Sequence, residues 1–267
     1  MDNQQTDNSI NIPSPRKRWG LLLLVPLCAG MIVLFVFSME WKDSLKIQRV
    51  LVDGAKSISA KEIFSLAAVP LKSSLFAIDL FEVQSRVMAQ PFMKSVRVCR
   101  QFPDVLRIDV VEREPIASLN AGQLHYIDEE GVPLPSSTSQ RKFDLPLISG
   151  ISGIQNVQLG KAISSKEIFD AIEICQAAQS IDTTVYRLIS EINMNNGNDI
   201  ILYSSDVGVP IILGHGDVQK KLIMLEHFWM NYINSGDAEK LQYIDLRFDD
   251  QVVVKKIHSP ERPSKKI

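Results

Sequence analysis

The sequence predicts an α+β protein with a single N-terminal transmembrane helix, a small β-α-α-β-β domain and a larger β-rich domain with two helices. Three observations support this prediction. Residues 19–39 form one apolar run without a charged side chain. Residues 47–113 alternate strand and helix patterns within fewer than 70 positions. After position 114, short strand patterns predominate, with two helical stripes among them.

The apolar run WGLLLLVPLCAGMIVLFVFSM predicts a membrane span at 19–39. With a rise of about 1.5 Å per residue it is roughly 31 Å long, close to the hydrocarbon thickness of a bilayer. The alternatives are a cleaved signal peptide and a buried core helix, which would be unusual at this length. Signal peptides have a shorter apolar core of about 7–15 residues and a small-residue cleavage site. The residues that follow, SMEWK at 38–42, offer no such site.

Charge around the run predicts the orientation of the chain. Three basic residues at 16–18 precede it, and positive flanks stay in the cytoplasm. We therefore expect a cytoplasmic tail at 1–18. Everything after about residue 40 is then periplasmic or extracytoplasmic, in a single-pass protein of the cell inner (plasma) membrane.

The small domain is predicted at 46–115 from the order of its patterns. A strand at 47–52 ends in the Asp-Gly turn signal at 53–54. The first helix begins at the capping box of Ser59 and Glu62, and the second ends before Pro91. Two alternating strands around a turn at 101–104 complete a three-stranded sheet covered by two helices.

The β-rich domain is predicted at 116–257, followed by a flexible tail at 258–267. A hairpin turns at 128–131, and a polar loop follows at 135–145. Helices are expected after the capping box that begins at Ser164 and after Asp217. The expected strands lie at 147–150, 188–194, 199–203, 209–213, 243–248 and 252–256.

Chemistry-bearing motifs are missing from the sequence. The four histidines form no metal-ligand pair, and there is no nucleophile elbow, Walker loop or dinucleotide-binding glycine motif. The three cysteines are widely spaced and are expected to act as small buried hydrophobic residues. The net charge is −2 and there is no basic stripe interleaved with aromatic residues, so we expect no nucleic-acid binding. We therefore expect no enzyme activity, catalytic residue, metal, cofactor or small-molecule substrate.

One strand suggests a binding surface. Val252 and the two valines after it lie near the C-terminus, and terminal strands often form a sheet edge. An edge exposes unpaired N–H and C=O groups that can accept a strand from a partner. The alternatives are that this strand lies inside the sheet, or that Lys255 and Lys256 block its edge.

Several segments resemble the FtsQ/DivIB family of bitopic division proteins. IQRVLVDG at 47–54, with its capping box, is similar to the opening of a POTRA domain. FMKSVRV at 92–98 and FPDVLRIDVVEREP at 102–115 carry the most specific likeness, with phenylalanine where the family commonly has tryptophan. Later landmarks are YIDEEG at 126–131 and YIDLRF at 243–248.

This resemblance implies a POTRA domain at 46–115 and a non-enzymatic scaffold at the division septum. The β domain is expected to bind an FtsB-type protein by strand addition, with FtsL beside it. The POTRA domain is expected to engage other division proteins, including FtsK. The implied partner-binding residues are Arg247, Phe248, Val252 and Val254. Arg247 is expected to pair with a partner carboxylate and Phe248 to fill a pocket, the alternative for Phe248 being a core aromatic.

Two other function classes remain open at this stage. One is a POTRA-containing secretion or outer-membrane assembly factor, which usually has several POTRA units or a terminal barrel. This chain has one such unit and too few residues left for a barrel. The other is a membrane-anchored cell-wall enzyme.

Overall fold

The computed structural model describes residues 16–136, 142–154, 157–235 and 238–257. The tail predicted at 258–267 and positions 1–15 of the predicted cytoplasmic tail lie outside the described residues, as do positions 137–141 of the polar loop. The chain divides into two compact units. The first comprises residues up to Leu51 together with Val69–Asp79 and Cys99–Arg107. The second comprises Val52–Ala68, Leu80–Val98 and the chain from Ile108 onward.

Helix α1 (Arg16–Ser44) is 29 residues long and includes Pro26. Its large apolar side chains between Leu24 and Phe37 are each more than half exposed. Within the described residues, no helix combines the length and apolarity needed to cross a membrane.

The β-α-α-β-β order predicted for the small domain is confirmed. Its elements are β1 (Arg49–Asp53), α2 (Ala60–Ala67), α3 (Leu80–Met88), β2 (Met93–Gln101) and β3 (Val105–Glu112). The three strands form one sheet in the order β1-β3-β2. As the capping box predicts, the Glu62 N–H donates to Ser59 Oγ at 3.1 Å where α2 begins. Gly54 has φ +88°, and a Cβ there would lie 2.0 Å from the Val110 carbonyl oxygen, so this turn requires glycine.

A nine-stranded mixed sheet forms the rest of the fold. Its elements, with three helices among them, are β4 (Pro115–Asn120), β5 (Leu124–Asp128), β6 (Pro133–Pro135), β7 (Leu147–Ser149), α4 (Lys166–Ile181), α5 (Thr183–Leu188), β8 (Ile189–Asn193), β9 (Ile201–Ser204), β10 (Pro210–Ile212), α6 (Val218–Ser235), β11 (Leu241–Asp245) and β12 (Val253–Lys256). The spatial order is β12-β11-β10-β9-β8-β7-β4-β5-β6. The pairs β4–β7, β7–β8 and β10–β11 are parallel.

The prediction of two helices in this part of the chain is wrong, because α5 is a third. It has six residues, too few for an apolar stripe to show in the sequence. Asp182 caps it by accepting the Thr184 N–H at 2.6 Å. Tyr186 then fixes α5 to β4, since its hydroxyl donates to the Ile116 carbonyl oxygen at 2.7 Å. Strand β4 was not predicted as a strand, and β11 ends at Asp245, earlier than the sequence suggested.

The hydrophobic core is formed by buried side chains of the large sheet and of helices α4, α5 and α6. Helix α4 buries six residues on one side, namely Ile168, Ala171, Ile172, Ile174, Cys175 and Ala178. Burial raises the pKa of the Cys175 thiol to about 12, so it packs as a neutral group. The expectation of buried cysteines is confirmed for Cys175. Cys28 is exposed and Cys99 is only partly buried.

Candidate partner-binding edge

Strand β12 forms one edge of the nine-stranded sheet. It pairs antiparallel with β11, with Val253 opposite Asp245 and Val254 opposite Ile244. Within the part of the chain that the structure describes, no strand pairs with its other side. The prediction that the last strand is an edge strand is confirmed, and the alternative of an internal strand is wrong.

The backbone of β12 alternates between the two sides. The Ile257 N–H donates to the Lys240 carbonyl oxygen at 2.7 Å, so it faces β11. The register shifts between Leu241 and Tyr243, which places the extra residue on β11 and leaves β12 uninterrupted. Because backbone groups of alternate residues in an antiparallel strand point to the same side, Lys255 and Val253 also face β11. The N–H and C=O groups of Val254 therefore face the open side.

The opposite edge of the sheet has a different chemistry. Strand β6 has three residues, Pro-Leu-Pro, and its two prolines have no N–H to donate. The Pro133 carbonyl oxygen already accepts the Gly160 N–H at 2.9 Å. Prolines and a covering segment are ways in which proteins block an edge strand. Of the two edges of this sheet, β12 is the one without these blocking features among the described residues.

Arg247 lies in the loop between β11 and β12, where two carboxylates of the same chain bind it. Its Nε and Nη2 donate to Asp245 Oδ1 and Oδ2 at 3.0 and 2.6 Å, and Nη1 donates to Asp199 Oδ2 at 2.7 Å. Hydrogen bonds from Arg247 hold the pKa of the nearly buried Asp245 carboxyl below its usual range. The guanidinium expected to meet a partner carboxylate is thus already paired.

Further contacts fix this loop to its surroundings. Gly214 has φ +66°, and a Cβ there would lie 2.9 Å from Arg247 Cγ, so the stem of the arginine packs directly over a glycine. Lys220 Nζ lies 2.8 Å from Asp250 Oδ1 and ties the loop to the start of α6. Sequence reasoning missed Asp199, Gly214 and Lys220. Apart from a turn glycine and a lysine at a helix start, no sequence signal links them to the loop.

The other predicted residues differ in what they offer. Phe248 is 51% exposed, so the core-aromatic alternative is wrong. Val252 lies just before β12, and its side chain and that of Val254 pack partly against the core of the large sheet. Val253, which was not predicted, is 38% exposed. Lys255 Nζ lies 5.9 Å from the centre of the Tyr243 ring.

Comparison with known families accounts for both parts of the chain. Residues 45–113 match the family model described as "POTRA domain, FtsQ-type". Residues 114–255, more than half of the chain, match the model described as "FtsQ/DivIB, C-terminal related". This chain belongs to the FtsQ family of cell division proteins. The family confirms the resemblance carried by the residues before β4 and around β11.

Curated FtsQ proteins align with most of the chain. "Cell division protein FtsQ" of Geobacter sp. (strain M21) is 32% identical over 213 residues, 80% of this chain and 77% of that protein. The protein of the same name from Geotalea daltonii is 29% identical over 212 residues, which cover 79% of this chain and 76% of that protein. The protein of the same name from Syntrophotalea carbinolica is 29% identical over 241 residues, which cover 89% of this chain and 84% of that protein. FtsQ membership favours a division protein over the secretion-factor and cell-wall-enzyme alternatives.

Proposed function

We propose that this FtsQ-family protein is a non-enzymatic scaffold that captures an FtsB-type protein by strand addition at β12. An FtsL-type protein is held beside it, and the POTRA domain at 46–115 engages further division proteins such as FtsK. The observation that supports strand capture most is the contrast between the two sheet edges. β12 has open backbone groups, whereas β6 is blocked by prolines.

In the proposed contact, backbone pairing contributes affinity and side chains contribute selectivity. An added strand gains hydrogen bonds from the outward groups of Val254, and alternate side chains select the partner. Phe248 fills an apolar pocket of the partner, as exposed aromatic anchors do at interfaces. Because Arg247 and Asp250 already fix the loop, little conformational entropy is lost when Phe248 is bound.

Arg247 and Val252 have supporting roles in the proposal. Asp245 is nearly buried and its side chain is only 6% exposed, whereas that of Asp199 is 42% exposed. A partner carboxylate can therefore replace Asp199 on the guanidinium while the Asp245 contact persists. Val252 packs partly against the core of the large sheet and holds the start of β12 there.

We also propose that residues 19–39 anchor the chain in the inner membrane as a single span. The tail at 1–18 is then cytoplasmic, and the domains at 46–115 and 116–257 are periplasmic or extracytoplasmic, at the division septum. The charge-free run of 21 residues, the basic flank at 16–18 and the exposed apolar side chains of α1 support this. Partners in one membrane meet at a high effective concentration, so weak contacts suffice.

The decisive experiment compares two half-exposed phenylalanines, Phe248→Ala beside β12 and Phe169→Ala on α4. Phe169 is 47% exposed, close to the value for Phe248. With the full-length chain in nanodiscs and a labelled FtsB-type partner, Phe248→Ala should raise Kd about thirtyfold, as expected for an aromatic anchor. Phe169→Ala should change Kd by less than about threefold.

Melting curves of both variants check that each remains folded. Since both side chains are half exposed, we expect each Tm to stay within about 2 °C of the parent. Equal partner affinity for the two folded variants would overturn capture at the β12 edge. The family assignment is independent of that result.

A further inference from the structure

A second exposed apolar surface lies in the first compact unit, far along the chain from β12. Phe76 and Phe102 are 39% and 61% exposed, and their ring centres lie 5.8 Å apart. Leu71, in the same segment as Phe76, is 51% exposed. We call these three residues the apolar tip. The two rings form a cluster, and clustered exposed apolar side chains mark an interaction surface more often than scattered single ones do.

Arg100 holds the tip in this conformation. Its Nε and Nη2 donate to the carbonyl oxygens of Leu75 and Ile78, both at 2.7 Å. Its guanidinium carbon lies 5.7 Å from the centre of the Phe76 ring. Arg100 of β2 therefore holds Phe76 and the backbone around it, and Phe102 packs on the Phe76 ring, so binding requires little reordering of the tip.

Backbone hydrogen bonds join segment 69–79, which contains Leu71 and Phe76 of the apolar tip, to the chain directly after α1. The Leu75 N–H donates to the Leu45 carbonyl oxygen at 2.7 Å, and Leu45 directly follows the last residue of α1. The Lys72 N–H donates to the Ile47 carbonyl oxygen at 2.8 Å. Ile47 lies three residues after Ser44, the last residue of α1, and three residues of chain reach at most about 11 Å. Segment 69–79 is therefore held close to the end of α1.

The same part of the chain is basic. Segments 45–51, 69–79 and 99–107 carry five Lys and Arg residues and two Asp residues, a formal net charge of +3, whereas the whole chain has −2. Lys46, Arg49 and Lys72 are exposed. Arg49 Nη2 lies 3.7 Å from Asp104 Oδ1, whereas Lys46 and Lys72 have no ion pair within the described residues. Exposed basic side chains together with exposed aromatic and leucine side chains are the combination that binds an anionic membrane surface.

We propose that the apolar tip docks on the lipid surface beside α1. Leu71, Phe76 and Phe102 enter the boundary between headgroups and acyl chains, and the exposed basic side chains contact anionic phosphates. This inference rests on the proposed membrane anchoring of α1. The net positive charge and the tether to the end of the helix favour lipid over a protein partner.

Photo-crosslinking of the full-length chain tests the proposal. Benzoyl-phenylalanine is placed at position 102, and the chain is reconstituted in nanodiscs of phosphatidylethanolamine and phosphatidylglycerol. After irradiation, mass spectrometry should detect an adduct of one phospholipid at this position. The same probe at position 34, inside α1, tests the anchor, and a probe at position 169 on α4 measures random collisions.

Each pattern of adducts has a distinct meaning. Lipid adducts at 34 and 102 above the level at 169 support the docking. A lipid adduct at 34 without one at 102 overturns the docking and leaves the anchor in place. No lipid adduct at 34 or 102 overturns the anchor as well. The probe at position 102 is also irradiated in cell membranes, where protein partners are present. Protein adducts in place of lipid adducts there would assign the apolar tip to a protein partner and overturn the proposal.

A charge reversal gives a second measurement. The double variant Lys46→Glu, Lys72→Glu should lower the yield of the lipid adduct at position 102 roughly fivefold or more. Each substitution replaces a basic contact with the anionic lipid surface by a repulsive charge. Lys161→Glu combined with Lys166→Glu is the matched control, since both lysines are exposed outside the first unit. Equal adduct yields in the two double variants would overturn the electrostatic part of the docking.

Discussion

Arg247 lies in the loop between β11 and β12 and donates hydrogen bonds to two carboxylates of its own chain, Asp245 and Asp199. Asp199 lies 48 positions earlier in the chain, and only the fold brings it to the loop. Because the nearly buried Asp245 cannot remain charged without a partner, the first physical role of Arg247 is to neutralise it.

This role predicts an acid-dependent stability. Arg247 keeps the pKa of Asp245 below its ordinary 3.8, so the pair stabilises the fold above that pH. The stabilisation is lost as the pH falls through the lower folded-state pKa. In urea unfolding, Arg247→Ala should therefore be less stable than the parent at pH 7, and the difference should shrink towards about pH 2.

The control for this series is Arg187→Ala, at an exposed arginine in the last turn of α5. We expect its difference from the parent to be small and to vary little with pH. If Arg247→Ala behaved in the same way, the pairing of Arg247 with Asp245 would contribute nothing to folding.

Among the elements, those with strong local signals were predictable. The capping box placed α2, and the hairpin predicted around 128–131 corresponds to the antiparallel pair of β5 and β6. Strand β4 contains Pro115, Ala117 and Asn120, residue types that are depleted in strands, and α5 is too short for a periodic pattern. That β12 lies at the edge was predicted only from its terminal position. Its neighbour β11 and the register between them depend on contacts that no local pattern records.

Hydrogen exchange of single amides tests the alternation along β12. The Ile257 N–H is bonded to Lys240, and the Lys255 N–H faces the same side. Both should exchange at least about tenfold more slowly than the Val254 N–H, which faces outward. Adding the FtsB-type partner should slow Val254 while leaving Ile257 unchanged. Equal protection of Val254 and Lys255 without the partner would contradict the open edge.

At the scale of the whole molecule, the sequence predicted the order of the domains along the chain, but not the spatial order of the strands in the large sheet. The order of small domain and large sheet follows from local patterns. The sheet order does not, because β4 pairs in parallel with β7 and lies between two later strands. Such a topology depends on long-range burial, which a period of two or 3.6 residues does not encode.

A buried ion pair connects the chain after β3 with the turn after β5. Arg113 Nη1 lies 2.6 Å from Asp128 Oδ2 and 2.7 Å from Glu130 Oε2. The side chains of Arg113 and Asp128 are only 12% and 3% exposed. Lys94 of β2 adds contacts to Glu129 and Glu130 at 3.1 and 2.9 Å. Hydrogen bonds from Arg113 and then Lys94 lower the pKa of Glu130.

We therefore expect Arg113→Ala to reduce the free energy of unfolding by about 3 kcal/mol, since it leaves the Asp128 carboxylate buried without its cation. Arg97→Ala is the matched control. Arg97 also pairs with an aspartate, Asp109, at 3.0 Å, but its side chain is 80% exposed. An exposed pair contributes little, so this variant should lose less than about 0.5 kcal/mol in urea unfolding. Similar losses for both variants would show that the Arg113 pair does not hold these segments together.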